Sequence, residues 1–124
     1  MKHAVFTKDS PAPIGPFSQA IKTQGTHLYV SGTIGMQDGQ IVKGGIKAQT
    51  VQALDNIKAV LDAAGFGFAD VVKVNVYLHN MNDFVAMNDV YANYFPEPYP
   101  ARTTVQVSRL PKDALVEFEM VAVK

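Results

Sequence analysis

Two arginines and two glutamates are the side chains most able to do chemistry in this chain of 124 residues. Arginine carries a rigid fork of donors that grips a carboxylate through two parallel hydrogen bonds. Arg102 follows Pro100–Ala101, which stiffen the entry to a strand, and Thr104 falls on the same face two residues on. Arg109 lies an odd number of residues away, so an unbroken strand points it to the opposite face. Arg102 has two readings of equal weight: a clamp for a ligand carboxylate, or a structural ion pair with Glu117 or Glu119 on a neighbouring strand. Glu117 and Glu119 share a face at i and i+2. Such a pair can do acid–base work, one carboxyl being kept protonated by its neighbour. A solvated strand face is the commoner meaning of the same pattern.

Several other chemistries lack their residues. The chain has no cysteine, and hence no thiolate nucleophile, disulfide or Cys-ligated zinc. His3, His27 and His79 stand far apart without metal-binding spacing, so no metal is expected. There is no nucleophile elbow, P-loop or dinucleotide fingerprint. Ser31–Gly35 (SGTIG) resembles an anion-binding turn but leads into loop rather than helix, a weak signal. The formal net charge is +0 and the lysines are scattered, which argues against a dedicated nucleic-acid binder. The N-terminal stretch has no apolar run long enough for a signal peptide, and no stretch is apolar enough to span a membrane, so no membrane partner is expected. The expected location is the cytoplasm, with an organelle as the other possibility.

The elements that must hold these residues follow from periodicity. Length and composition predict one domain, 1–124, with an ordinary apolar core. Residues 1–17 are punctuated by Pro11, Pro13 and Pro16 and predict an ordered loop or edge strand. Ala20–Thr23 and His27–Ser31 about Gln24–Gly25 predict a hairpin, and Met36–Gly45 a loop. Val51, Leu54, Ile57, Val60, Leu61 and Ala64 form an apolar stripe that predicts a helix over 46–64, closed by Gly65. Asp70–Leu78 alternates as a strand with one buried face. Asn82 or Asp83 is expected to cap a second helix that carries Phe84, Met87, Val90, Tyr91, Tyr94 and Phe95. Two strands, 102–109 and 115–123, complete an α+β chain with both helices on one face of a sheet. The sheet's other face is mixed, a composition suited to an oligomer interface.

Successive blocks of this sequence resemble the RidA/YjgF family, nearly from end to end. They are APIGPFSQA (12–20), VSGTIG (30–35), QTVQALDNIKAVLDAAG (49–65), the run from Asp70 to Phe95, and PARTTVQVSRLPKDALVEFEMVAV (100–123). The resemblance implies a chorismate-mutase-like fold of the bacillus type: a mixed six-stranded sheet with two helices on one face, assembled as a homotrimer. The trimer's sheets form a central barrel with clefts between subunits. It implies hydrolysis of 2-imino acids, or of the enamines that tautomerise to them, to 2-oxo acids and ammonia, without metal or organic cofactor. Arg102 would clamp the substrate carboxylate and Glu117 would position the water. Ser31 and Asn88 would line the pocket, and the backbone around Arg102, Thr103 and Thr104 would hold carboxylate, water and leaving nitrogen.

Two positions depart from the family's pattern. Phe17 replaces a tyrosine, removing a pocket hydroxyl and making the wall more apolar, which would favour bulkier side chains. Thr104 stands where cysteine is frequent, a milder change in a lining position. Besides imine hydrolysis, the resemblance leaves room for a non-catalytic trimer that binds 2-oxo acids, for an RNA-directed translation inhibitor or endoribonuclease, and for chaperone-like holding.

Overall fold

The computed structural model describes residues 2–124. Its elements are β1 (Lys2–Val5), β2 (Ala20–Thr23), β3 (His27–Ile34), β4 (Met36–Gln37), β5 (Gln40–Ile41), α1 (Gly45–Ala64), β6 (Val71–Leu78), α2 (Phe84–Tyr91), β7 (Ala101–Gln106) and β8 (Val116–Val123). The main sheet has four strands in the order β3-β8-β6-β7, mixed because β7 runs parallel to β6 while β8 is antiparallel to both its neighbours. The β1–β2 ribbon adjoins β7 through one parallel bridge, Ser18 to Ala101. The expected six-stranded sheet is thus a four-stranded sheet with a ribbon at its edge. No helix among the described residues is long and apolar enough to cross a membrane.

Val116, Phe118, Met120 and Ala122 of β8 and Val74, Val76 and Leu78 of β6 all point to one face and are buried there beneath α1 and α2. The predicted stripe of α1 is only partly the buried one. Leu54, Ile57 and Leu61 are buried with Ala53, Thr50 and Gln49, whereas Val51 and Val60 are 40% and 47% exposed and Ala64 is exposed too. A three-residue step falls short of one helical turn by about 60°, so Val51 and Val60 lie about 180° apart around the axis. Only the middle of the stripe can face the sheet. Gly65 closes α1 in the left-handed conformation, at φ 77°, its N–H turned back to the last carbonyls.

Three other expectations are corrected. The strands at 20–23 and 27–31 do not form a hairpin: β2 pairs with β1, and β3 pairs with β8. The turn at Gly25 instead passes the chain from ribbon to sheet, where Thr26 and Lys124 exchange backbone hydrogen bonds of 2.9 and 3.0 Å. Second, the 36–45 loop contains a small β4–β5 hairpin, tied to α1 by Asn56 Nδ2 donating to the Met36 carbonyl at 2.9 Å. Third, α2 stops at Tyr91, a turn before Phe95. Neither Asn82 nor Asp83 caps it with its side chain. Asn80 instead caps the short 3-10 turn Met81–Asp83 that leads into α2, accepting from Asn82 N–H at 2.8 Å.

Candidate functional site

The strand order decides which side chains can meet. β6 lies between β7 and β8, so Arg102 has no cross-strand carboxylate. Among the described residues the ion pairs are Lys58–Asp62 and Arg109–Asp113, both exposed. Arg109 sits beyond the end of β7, in a loop, with no strand face to point from.

Arg102 is paired in register with Val74, on the helix-covered face. Its guanidinium carbon lies 4.8 Å from the centre of the Tyr91 ring, 5.3 Å from Phe17 and 5.7 Å from Phe84. Three ring faces surround the cation, an arrangement that stabilises it electrostatically without a counter-ion. Both terminal nitrogens are buried and lack hydrogen-bond partners. So do three more buried polar atoms: Asn88 Oδ1, Thr104 Oγ1 and the Tyr91 hydroxyl. Burial presses the Arg102 pKa down, and the neighbouring Tyr91 opposes that. Burial also raises the Tyr91 phenol well above its ordinary value, against the pull of Arg102. The phenol feels the guanidinium charge, although no hydrogen bond of normal geometry closes between them. A group of unpaired buried donors and acceptors about one cation is costly unless a ligand or water completes it.

Local sequence builds this pocket. The loop before β2 is pinned by Ser18 N–H donating to Pro100 O at 3.1 Å, and Phe17 N–H turns back to Gly15 O at 2.8 Å. That places the Phe17 ring over Arg102. The Gly15 backbone packs against both side chains: a Cβ there would stand 3.4 Å from Arg102 Nη2 and from Asn88 Nδ2. Phe84, Asn88 and Tyr91 share one face of α2 at i, i+4 and i+7. The resulting cavity, about 460 Å³, is lined by Arg102, Thr104, Phe17, Phe84, Ile14, Met81 and Val85.

Glu117 lies on the opposite, uncovered face, in register with Tyr77 of β6 and Ile34 of β3. A β-bulge between Val30 and Thr33 contains Ser31, which is exposed. Gly32 packs beneath the carboxylate: a Cβ there would overlap Glu117 Oε2. The two glutamates are differentiated by their surroundings. Glu119 accepts from Asn75 Nδ2 at 2.9 Å and from the Tyr77 hydroxyl at 2.7 Å, and those bonds hold its pKa down. Glu117 is raised, first by burial and then by the charge of Glu119. The environments push the two carboxyls apart, as acid–base pairs require. A reaction that uses ionised Glu117 should therefore lose rate on acidification from above the ordinary carboxylate range. The substitution Glu119→Gln, which removes the repelling charge, should move that acid limb to lower pH while burial keeps it raised. A pH–rate profile of both proteins checks this, and an unmoved limb would separate Glu117 from the reaction.

Of the residues expected in one site, the structure brings Phe17, Arg102 and Thr104 into one cavity, with Asn88 next to them. Ser31, Thr103 and Glu117 are not with them. Thr103 is exposed on the uncovered face, where Lys73 Nζ donates to it at 3.1 Å. Ile14, Met81 and Val85 also line the cavity, and nothing in the sequence marks them, because an isolated apolar residue in a loop or helix carries no signal of a pocket. Tyr91 belongs to the apolar stripe of the second helix, yet its ring faces Arg102; its spacing from Phe84 and Asn88 is visible in the sequence.

These features define a class: an α+β chain with a mixed sheet backed by two helices and a buried, uncompensated arginine at the floor of an apolar pocket. Comparison with known proteins identifies it further. Residues 7–124 match the family model described as Endoribonuclease L-PSP. A RutC family protein of Pyrococcus horikoshii is 57% identical, covering 100% of this chain and 99% of its own. A 2-iminobutanoate/2-iminopropanoate deaminase of Dermatophagoides farinae is 47% identical over 98% of this chain and 96% of its own. RidA from an Antarctic Psychrobacter superposes with a TM-score of 0.77 at 41% identity, over 98% of this chain and 99% of that one. The chain belongs to the RidA/YjgF family.

Proposed function

We propose that this protein hydrolyses 2-imino acids to 2-oxo acids and ammonia. The observation that carries the reading is the Arg102 guanidinium, buried under three aromatic rings with both terminal nitrogens unpaired. A small carboxylate is the ligand that satisfies it, through a bidentate charge-assisted pair in a site of low polarity. Several relatives carrying the deaminase name, among them one from Capra hircus at 46% identity, support the choice of reaction.

In this reading the substrate carboxylate sits on Arg102, with Asn88 and Thr104 supplying further polar contacts. Water adds to the imine carbon, a proton passes to nitrogen, and the tetrahedral adduct expels ammonia as the C=O bond forms. Glu117 is the group suited to take the proton from water. Because Glu117 and Arg102 lie on opposite faces of one sheet, the reading requires copies of the chain to assemble. Arg102 of one copy and Glu117 of the partner subunit then share a cleft. A trimer closed around the uncovered sheet faces meets this requirement and gives the exposed Tyr29 and Val105 of that face an apolar partner.

The test is imine clearance. A threonine/serine dehydratase generates the imines, semicarbazide competes for them, and the protein should suppress the trapped product. If it does not, while 2-oxobutanoate still binds, the pocket is a 2-oxo acid binding site. The Phe17 ring leaves the pocket without the hydroxyl a tyrosine would provide. Phe17→Tyr should raise kcat/KM on 2-iminobutanoate about tenfold, the worth of one hydrogen bond made in the transition state. No gain would show that hydroxyl to be irrelevant here.

The family model's name favours an RNA-directed second reading. Cleavage of RNA by nuclease-free protein, lost on raising salt, would support it; the balanced charge predicts neither binding nor cleavage.

A further inference from the structure

Resting on the imine-hydrolysis reading and naming its substrate, we infer that the preferred substrates are 2-imino acids with bulky apolar side chains, branched aliphatic or aromatic. The cavity is about 460 Å³, and beyond Arg102 and Thr104 its lining is wholly apolar: Ile14, Phe17, Met81, Phe84 and Val85. These residues come from the loop before β2, the turn before α2, and α2 itself. Ile14 is 82% exposed, Val85 68% and Met81 38%. Singly, exposed apolar residues are ordinary. Here they converge from three segments around one buried cation, the composition of a pocket that fixes a ligand by one polar end and sorts it by shape.

Geometry then dictates what the wall sorts. With the carboxylate held at Arg102, the reacting carbon lies one bond away, and its side chain must extend along Phe17 and Phe84 toward Ile14, Met81 and Val85. A methyl or ethyl group leaves that wall in water. An isobutyl or benzyl group covers it, and the unbranched thioether of Met81 can adjust to either shape. Phe17 contributes because it has no hydroxyl to solvate. Each methylene entering an apolar pocket discriminates by about tenfold or more. Allowing for the open mouth, kcat/KM should rise about ten- to a hundredfold from the alanine-derived to the leucine-derived imine.

The experiment generates imines with an amino-acid oxidase from alanine, 2-aminobutyrate, leucine and phenylalanine, and scores semicarbazide competition for each. Binding of 4-methyl-2-oxopentanoate and 2-oxopropanoate is measured by calorimetry in parallel. Rates that climb with side-chain size, with the climb flattened in Val85→Glu, establish the inference. Rates level or falling with size overturn it while leaving imine hydrolysis intact, and assign the apolar mouth to contact between copies. If no imine is turned over, the hydrolysis reading fails and calorimetry decides. Tighter binding of the larger oxo acid keeps the preference for bulky side chains; equal binding removes it.

Discussion

Replacing Arg102 with methionine is expected to abolish imine clearance and, at the same time, to raise the melting temperature. Activity should fall by about a thousandfold or more, because the carboxylate loses both its charge partner and its orientation. Stability should move the other way. Within one copy of the chain the guanidinium has two buried nitrogens without a protein partner and no carboxylate beside it, so its burial carries a desolvation cost that aromatic contact offsets in part. Methionine keeps the hydrophobic stem and fits between Phe17, Phe84 and Tyr91 without any group left to satisfy. Uncompensated buried charge replaced by apolar packing gains about 1 kcal/mol, worth a few degrees in a domain of this size. Thermal melts and the trapping assay on one preparation check both halves. A variant that melts lower and keeps its turnover would show that Arg102 serves the fold and not a ligand. Wild-type protein should in turn be stabilised by 2-oxo acids, and the methionine variant should not.

The second large effect comes from mixing inactive proteins. Arg102→Ala and Glu117→Ala should each lose at least about a hundredfold in rate, the lower end of what a clamp or a general base contributes. Arg102 is in register with Val74 on the helix side of the sheet, and Glu117 with Tyr77 on the other side. The cavity around Arg102 is not lined by Glu117. If the site forms between copies, a cleft in a mixed assembly is intact when one neighbour supplies Arg102 and the other supplies Glu117. Subunits mixed equally and at random produce such clefts about a quarter of the time. Unfolding the two variants together and refolding them should therefore restore up to about a quarter of wild-type activity, where each alone restores none. Absence of complementation, with mixed assemblies demonstrated by mass, would mean that the two residues do not act in one site.

Much of this molecule was legible because its signals are local. The middle of α1, around Leu54, Ile57 and Leu61, shows in the spacing of its apolar residues, and Gly65 marks its end because few other residues take a positive φ there. Alternation along β6 shows which of its side chains turn inward. Arg102 stands out by residue type and place, an arginine that follows the proline-stiffened entry to a strand, although the sequence leaves it equally a ligand clamp or an ion-pair partner.

What the sequence did not reveal is which strands lie together. β2 and β3 read as a hairpin because a glycine turn separates two β-type runs, yet β2 pairs with β1 and β3 with β8. Likewise β7 and β8 are consecutive in the chain, and β6 lies between them. Every strand offers the same backbone donors and acceptors at its edges, so no residue within it names its neighbour. The choice falls to whichever arrangement buries the most apolar surface for the whole chain. That choice puts Arg102 under α2 and Glu117 on the face without helices. Residue chemistry alone nominated both side chains; only the order of the strands decided that they stand on opposite sides of one sheet.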